Sequence, residues 1–158
     1  MSAFADTNWV VATYFVKARD ERTAVVERFT RRQRQPLVIS HLVLLECGNV
    51  FPWTAREKNP VEWQNLQADL GRKFLVDTMD WDILRQATAQ LCARYSHTAR
   101  LGTFDLALVA SALLTGARMF LSFDSQCRAL AVAERLKVFP ELSAIEKALL
   151  AALRCSNQ

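Results

Sequence analysis

The chain has 158 residues, 51% hydrophobic and 23% charged, with 20 Lys and Arg against 16 Asp and Glu for a net charge of +4. That length suits one domain, residues 1–158, able to bury roughly 70% of the surface its unfolded form exposes. No apolar run reaches the length of a membrane span, and no basic stretch followed by an apolar one opens the chain, so neither a membrane protein nor a signal peptide is expected.

In chain order, Ala3 to Asp6 reads as a short buried strand, and Asn8 to Lys17 follows with helical periodicity. Asp20 to Gln33 reads as a polar-faced helix with Ala24, Val25 and Phe29 on its apolar side. Leu37 to Ser40 is a second strand, and Ser40 is placed to cap a helix from His41 to Phe51. Pro52 and Pro60 bracket a turn region, Val61 to Arg72 is helical, and Lys73 to Val76 is a third strand. Asp80 is placed to cap a helix from Trp81 to Tyr95, with Ile83, Leu84, Ala87 and Leu91 on one face. After a loop holding Gly102 comes a helix from Thr103 to Thr115, which Gly116 is placed to end. Arg118 to Ser122 is the fourth strand, Ser125 to Arg135 a helix, Leu136 to Phe139 a last short strand, and Ser143 to Leu153 a C-terminal helix. Strands alternating with helices predict a parallel sheet covered on both faces, a three-layer α/β/α sandwich with its core in 3–140.

Four acids stand where a short apolar run gives way to a helical one: Asp6 in SAFADTNWVV, Glu46 in HLVLLECGNV, Asp105 in LGTFDLALVASALL and Asp124 in RMFLSFDSQCRALA. A carboxylate among apolar residues is costly unless it is paired, solvated or bound to a cation. Asp6 and Asp124 end strands, and ligands in open parallel sheets sit beyond the strands' carboxyl ends. Asp105 opens a helix, and Glu46 lies a turn and a half into its own, from where it can point back to the same rim. Gathered like charges raise one another's pKa, and a hard divalent cation, Mg2+ or Mn2+, is the usual way to neutralise them.

The opening ADTNWVVA, Glu46 in the helix after the second strand, then FDLALVASALLTGARMFLSFD and SFDSQCRALAVAERL resemble, in order and spacing, the motifs of PIN-domain proteins. More narrowly they resemble the VapC-type toxin ribonucleases of bacterial and archaeal toxin–antitoxin pairs, over residues 3 to 140. Departures are Ser122 where threonine is common, Leu108 where relatives often carry histidine, and Arg100 in place of an arginine closer to Asp105. The resemblance implies hydrolysis of RNA phosphodiesters with Mg2+ or Mn2+, in which metal-bound water attacks in line and the ion neutralises phosphoryl charge. Asp6, Asp105 and Asp124 are then the principal metal ligands, Glu46 acts through water, and Asn8 and Ser122 orient the carboxylates. It also implies a homodimer and a cognate antitoxin whose tail covers the acidic pocket, with Leu42 to Phe51, Trp53 and Trp63 as the docking groove.

Arg31, Arg32 and Arg34, with Arg19, Arg22 and Arg28 nearby, form the densest basic stretch, suited to an RNA path or simply to a solvated helix end. Trp9, Trp53, Trp63 and Trp81 could stack on bases, though core or interface is the commoner use of such residues. His41 and His97 read as capping or surface residues, Asp20 and Asp80 as helix caps, and Glu57, Glu62 and Asp69 as solvated faces. The cysteines Cys47, Cys92, Cys127 and Cys155 form no CxxC pair and read as reduced thiols of a cytoplasmic protein, and with two histidines a zinc centre is not expected. Three other functions remain open: an RNA-processing nuclease outside a toxin system, a phosphotransferase using Asp6 as nucleophile, and an inactive binding module.

Overall fold

A parallel sheet organises the chain, and its strand order decides where the four acids can meet. The computed structural model describes residues 2–16 and 20–155. Its strands are β1 (Ala3–Ala5), β2 (Leu37–Ser40), β3 (Phe74–Asp77), β4 (Met119–Leu121) and β5 (Lys137–Val138). They pair in the order β3-β2-β1-β4-β5, every pair parallel. Successive strands are added to one side of β1 and then, after β3, to the other, so the order reverses between β1 and β4. A crevice opens at such a reversal, beyond the carboxyl ends of the strands on either side of it.

The helices are α1 (Thr7–Tyr14), α2 (Glu21–Thr30), α3 (His41–Ala55), α4 (Val61–Asp69), α5 (Trp81–Tyr95), α6 (Thr103–Leu114), α7 (Ser125–Ala133) and α8 (Ala144–Cys155). Right-handed crossovers put α1 to α4 on one face of the sheet and α5 to α7 on the other. The helix contacts fall into the same two groups, with α8 packed on α7. The three-layer α/β/α sandwich expected from the alternation is the fold observed. β1 is buried along its length, and Phe4 stacks on Phe120 of β4 with ring centroids 5.9 Å apart.

Several local expectations need correction. The first helix closes at Tyr14; Lys17, expected at its end, and Arg19 lie outside the described residues. α2 buries Thr23, Val26 and Phe29 and leaves Ala24 exposed, a one-step rotation of the expected face. In α5 the buried side is Leu84, Thr88, Leu91 and Tyr95, while Ile83 faces outward. Pro52 does not end α3, which runs on to Ala55. Proline removes one donor near the helix end, and the N–H of Arg56, in a left-handed conformation at φ 61°, caps the Pro52 carbonyl. Ser40 holds the cap position of α3 without a side-chain cap bond, whereas Asp80 accepts from the Asp82 and Ile83 N–H groups at 2.8 and 3.1 Å.

The expected docking groove is divided between core and surface. Leu42, Val43, Cys47 and Phe51 are buried, Trp63 packs edge-on to Phe51, and of that region Leu45 and Trp53 face outward. Asp69, expected in solvent, is buried: it accepts from the Tyr14 hydroxyl at 2.8 Å and pairs with Arg72 and Lys73 at 2.6 and 2.9 Å.

One buried guanidinium ties the C-terminal helix to the rim of the sheet. Arg128 of α7 donates through Nε to Glu146 of α8 at 2.5 Å. Its remaining N–H groups reach the carbonyls of Ser122, Phe139, Pro140 and Glu141 at 2.7 to 3.3 Å. Burial alone would raise the Glu146 pKa, but Arg128 and the Ser143 N–H hold it below the ordinary carboxylate value.

Candidate active site

Asp6 and Asp124 stand at the carboxyl ends of β1 and β4, on either side of the strand-order reversal. Each caps the helix that follows: the Asp6 carboxylate accepts from the Thr7 N–H at 2.5 Å, and that of Asp124 from the Cys127 N–H at 2.8 Å. The Asp6 N–H continues the β1–β4 ladder onto the Leu121 carbonyl at 2.9 Å, so the backbone fixes where that carboxylate begins. A strand that must turn at once into a helix favours a short acidic cap there, and two such turns side by side bring two carboxylates to one crevice.

Asp105 arrives from the other face of the sheet, on the first turn of α6. Its carboxylate folds back to the N–H of Gly102, the residue capping that helix. A Cβ at Gly102 would lie 2.6 Å from the Asp105 Oδ2, so any larger residue there would push that carboxylate from its present position. Glu46, half-buried on α3, accepts a short hydrogen bond from the Thr7 hydroxyl. All four acids line one hollow of about 300 Å³, together with Thr7, Asn8, Arg22 and Leu108.

Ser122 and Asn8 stand behind the two strand-end carboxylates. The buried Ser122 hydroxyl donates to Asp6 Oδ2 at 2.7 Å and accepts from the Asp124 N–H at 3.0 Å. Asn8 donates to the Ser122 Oγ at 3.2 Å and accepts from the Phe123 N–H at 2.8 Å. One hydroxyl thus touches both sides of the crevice, and one amide holds the loop between them.

The electrostatics follow from burial and like charge. Asp6 is 3% exposed, and its pKa rises to about 7: burial is the main cause, the Ser122 and Thr7 hydrogen bonds oppose it, and Glu46 and Asp124 add to it. Burial and the Asp124 charge also raise Asp105. The thiols of Cys47 and Cys127 are pushed up as well, first by burial and then by the neighbouring carboxylates, which keeps both protonated.

The donors are carboxylate oxygens, the hard ligands that Mg2+ and Mn2+ take. Among the described residues, no three Asp, Glu, His or Cys side chains stand close enough to hold a bare ion between them. The set fits a hydrated cation reached partly through its own waters, the usual form in which proteins hold Mg2+.

The other residues singled out in the sequence lie elsewhere. Arg31 caps the far end of α2 and pairs with Glu27 at 3.6 Å. Arg34 lines a separate hollow of about 310 Å³ with Leu37 and Phe74, which begin β2 and β3, so this stretch is at the amino-terminal edge of the sheet. Trp9 is core, Trp53 and Trp81 are exposed, and His41 and His97 are exposed. The sequence reading did not single out Thr7 and Gly102 as site residues, and took Arg22 for part of the basic stretch. Thr7 and Arg22 depend on partners from distant elements, Glu46 and Phe123, whereas Gly102 meets Asp105 three residues on, in the helix it caps.

Comparison with known proteins agrees with this fold. A family model described as the PIN domain matches residues 3–133. No curated protein matches the chain. Among solved structures, the fold is similar to Mycobacterium tuberculosis VapC20, described as a sarcin-ricin loop cleaving toxin. That match has a TM-score of 0.64 and 20% identity, covering 81% of this chain and 94% of that one. It is also similar to FitAcB from Neisseria gonorrhoeae, with a TM-score of 0.59 and 14% identity over 87% of this chain and 96% of the other. The matched stretch begins at the first strand and ends with the helix behind Asp124, taking in all four acids, and the chain belongs to the PIN-domain family.

Proposed function

We propose that this protein is a metal-dependent endoribonuclease, the toxin of a toxin–antitoxin pair, with Asp6, Glu46, Asp105 and Asp124 as its catalytic carboxylates. The observation that carries the reading is the convergence of these four acids, from both faces of the sheet, on one hollow at the strand-order reversal. Family membership supports the nuclease class, and the likeness to VapC20 supports the toxin assignment. No helix among the described residues is long and apolar enough to cross a membrane, which is compatible with action on RNA in the cytoplasm.

The bound cation supplies a polarised water and charge neutralisation at the scissile phosphate. The chain's own part is positioning. Asp6 and Asp124 offer carboxylates whose directions are set by the Thr7 and Cys127 N–H groups and by Ser122. Asp105 faces them from α6, and Thr7 restrains Glu46 at the side of the hollow. The raised pKa of Asp6 is relieved when a cation arrives, so binding the ion should release protons near neutral pH. A role for Asp6 as a phosphorylated nucleophile is less well supported, because both its oxygens accept hydrogen bonds and it is nearly sealed from solvent. The cognate antitoxin and a homodimer are partners in this reading, and the outward Leu45 and Trp53 of α3 are available to one of them.

The test is cleavage of single-stranded and stem-loop RNA by protein freed of metal with a chelator. Cleavage should be absent, return with Mg2+ or Mn2+, and be lost in Asp6→Asn and Asp124→Asn. Activity that survives chelation, or full activity in either variant, overturns the assignment.

A further inference from the structure

We infer that Arg22, at the mouth of the acidic hollow, is the contact for a substrate phosphate next to the bond being cut. The inference rests on the nuclease reading and adds a contact for the strand. Arg22 lines the 300 Å³ hollow of the four acids, and it also borders a neighbouring hollow of about 340 Å³ lined by Phe123 and Ser125. Glu21, Glu141 and Glu146 line that second hollow too, and their carboxylates make it no path for a polyanion. Arg22 stands on the boundary between the two. Among the described residues it is the only Lys or Arg lining the acidic hollow.

Its position is supported from below. The guanidinium carbon lies 5.6 Å from the centre of the Phe123 ring. That ring stacks on buried Trp9, with centroids 5.1 Å apart and planes 13° from parallel, and the Phe123 N–H is held by Asn8. A cation over an aromatic face keeps its N–H edges free for a ligand. The other cation lining the second hollow, Arg128, has its donors committed to Glu146 and four carbonyls, so Arg22 is the one with donors to offer.

A cluster of carboxylates attracts a cation but repels the phosphates on either side of the scissile one. A flanking phosphate needs its own positive partner, and a planar guanidinium fork matches two phosphate oxygens at once. Arg22 is placed at the mouth, where such a phosphate would emerge.

The experiment uses single-stranded oligoribonucleotides in which one linkage at a time is replaced by an uncharged methylphosphonate. Wild-type protein should lose about tenfold in kcat/KM when the linkage flanking the cut is neutralised, the worth of one charge-assisted contact. Arg22→Ala should lose about as much on the unmodified RNA and nothing further on that neutral one. Arg22→Lys, which keeps the charge but not the fork, should fall between. Equal sensitivity of wild type and Arg22→Ala to every neutral linkage would make Arg22 a mere counter-charge and overturn the inference. Binding of the same RNAs in the Asp124→Asn background, followed by fluorescence anisotropy, reads the contact without cleavage. Arg22-dependent binding there with no cleavage by wild type would uphold the phosphate contact and defeat the nuclease reading. Binding that does not depend on Arg22 would defeat the phosphate contact itself.

Discussion

Asp6 and Asp69 are carboxylates of the same kind with nearly the same small exposure, 3% and 4%, Asp6 deep in the crevice and Asp69 just beneath the exposed side chains of Arg72 and Lys73. Asp69 sits on α4 among Arg72, Lys73 and the Tyr14 hydroxyl. Burial alone would raise its pKa, but those three partners outweigh burial and bring it down to about 2. Asp6 has a hydroxyl and an N–H for company, with two further acids across the crevice, and rises to about 7. Low solvent exposure alone is therefore not what distinguishes the proposed catalytic acid from a structural one. What distinguishes them is whether the fold supplies the positive charge or leaves it to a ligand.

The largest separation between the two should come from neutralising each. Asp6→Asn keeps an acceptor for Thr7 and removes a repelled charge, so it should lose cleavage by ~10²-fold or more while folding at least as stably as wild type. Asp69→Asn should keep cleavage and lose roughly 1–3 kcal/mol of stability, since two exposed cations and a buried hydroxyl forfeit a shared partner. Denaturant melts beside RNA cleavage rates check both. If the two variants behaved alike, the contrast would fail.

A second, smaller effect is in the pH dependence of the metal-free protein. Folding raises the Asp6 pKa from 3.8 to about 7, so between those values the folded state holds a proton that the unfolded state has released. The stabilisation is complete below about pH 4 and lost as pH rises through 7, on the order of 4 kcal/mol in all. Asp69 runs the other way: its contribution is complete above about pH 4 and is lost as pH falls toward 2. Melts in chelator should therefore show Asp6→Asn flattening the neutral limb and Asp69→Asn the acid limb. An unaltered neutral limb in Asp6→Asn would mean that the carboxylate is ionised throughout.

The smallest effect sharpens the comparison by moving away from both acids. Reversing charge at Arg31, Arg32 and Arg34 together should leave cleavage of a very short RNA unchanged and weaken binding of a long one modestly. Those residues are at the opposite edge of the sheet from the carboxylates and could meet only distant phosphates. Loss of short-substrate cleavage in the folded triple variant would place the RNA path across that edge instead.

The acids themselves were legible in the sequence as candidates, because each interrupts an apolar run, Asp6 and Asp124 at strand–helix junctions and Glu46 and Asp105 inside helices, and the alternation of elements announced the sheet. Their company was less so. Asp69 reads as solvated because its helix is polar; its partner Tyr14 is 55 positions away. Gly102 reads as an ordinary loop glycine, and only the carboxylate 2.6 Å from where its Cβ would stand explains it. Arg22 and Arg31 look like neighbours in one basic run, yet α2 carries them to opposite ends of the sheet. Pro52 promised a helix end that arrived one turn later, since a missing donor close to the terminus removes little. Faces of α2 and α5 were misjudged by about one residue, the margin by which tertiary packing overrides local pattern.

The reach of Arg128 ties the last helix to the acidic hollow. The family match stops at residue 133, and a version of the chain ended there would look complete by that measure. It would lack Glu146 and the carbonyls of Phe139, Pro140 and Glu141, leaving a deeply buried guanidinium with most of its donors unanswered. Its one remaining partner would be the Ser122 carbonyl, the backbone of the same residue whose hydroxyl steadies Asp6 and the Asp124 N–H. Damage at the chain's tail would thus be felt first at its opening acid, 116 positions from Ser122 in sequence and one hydrogen bond away in space.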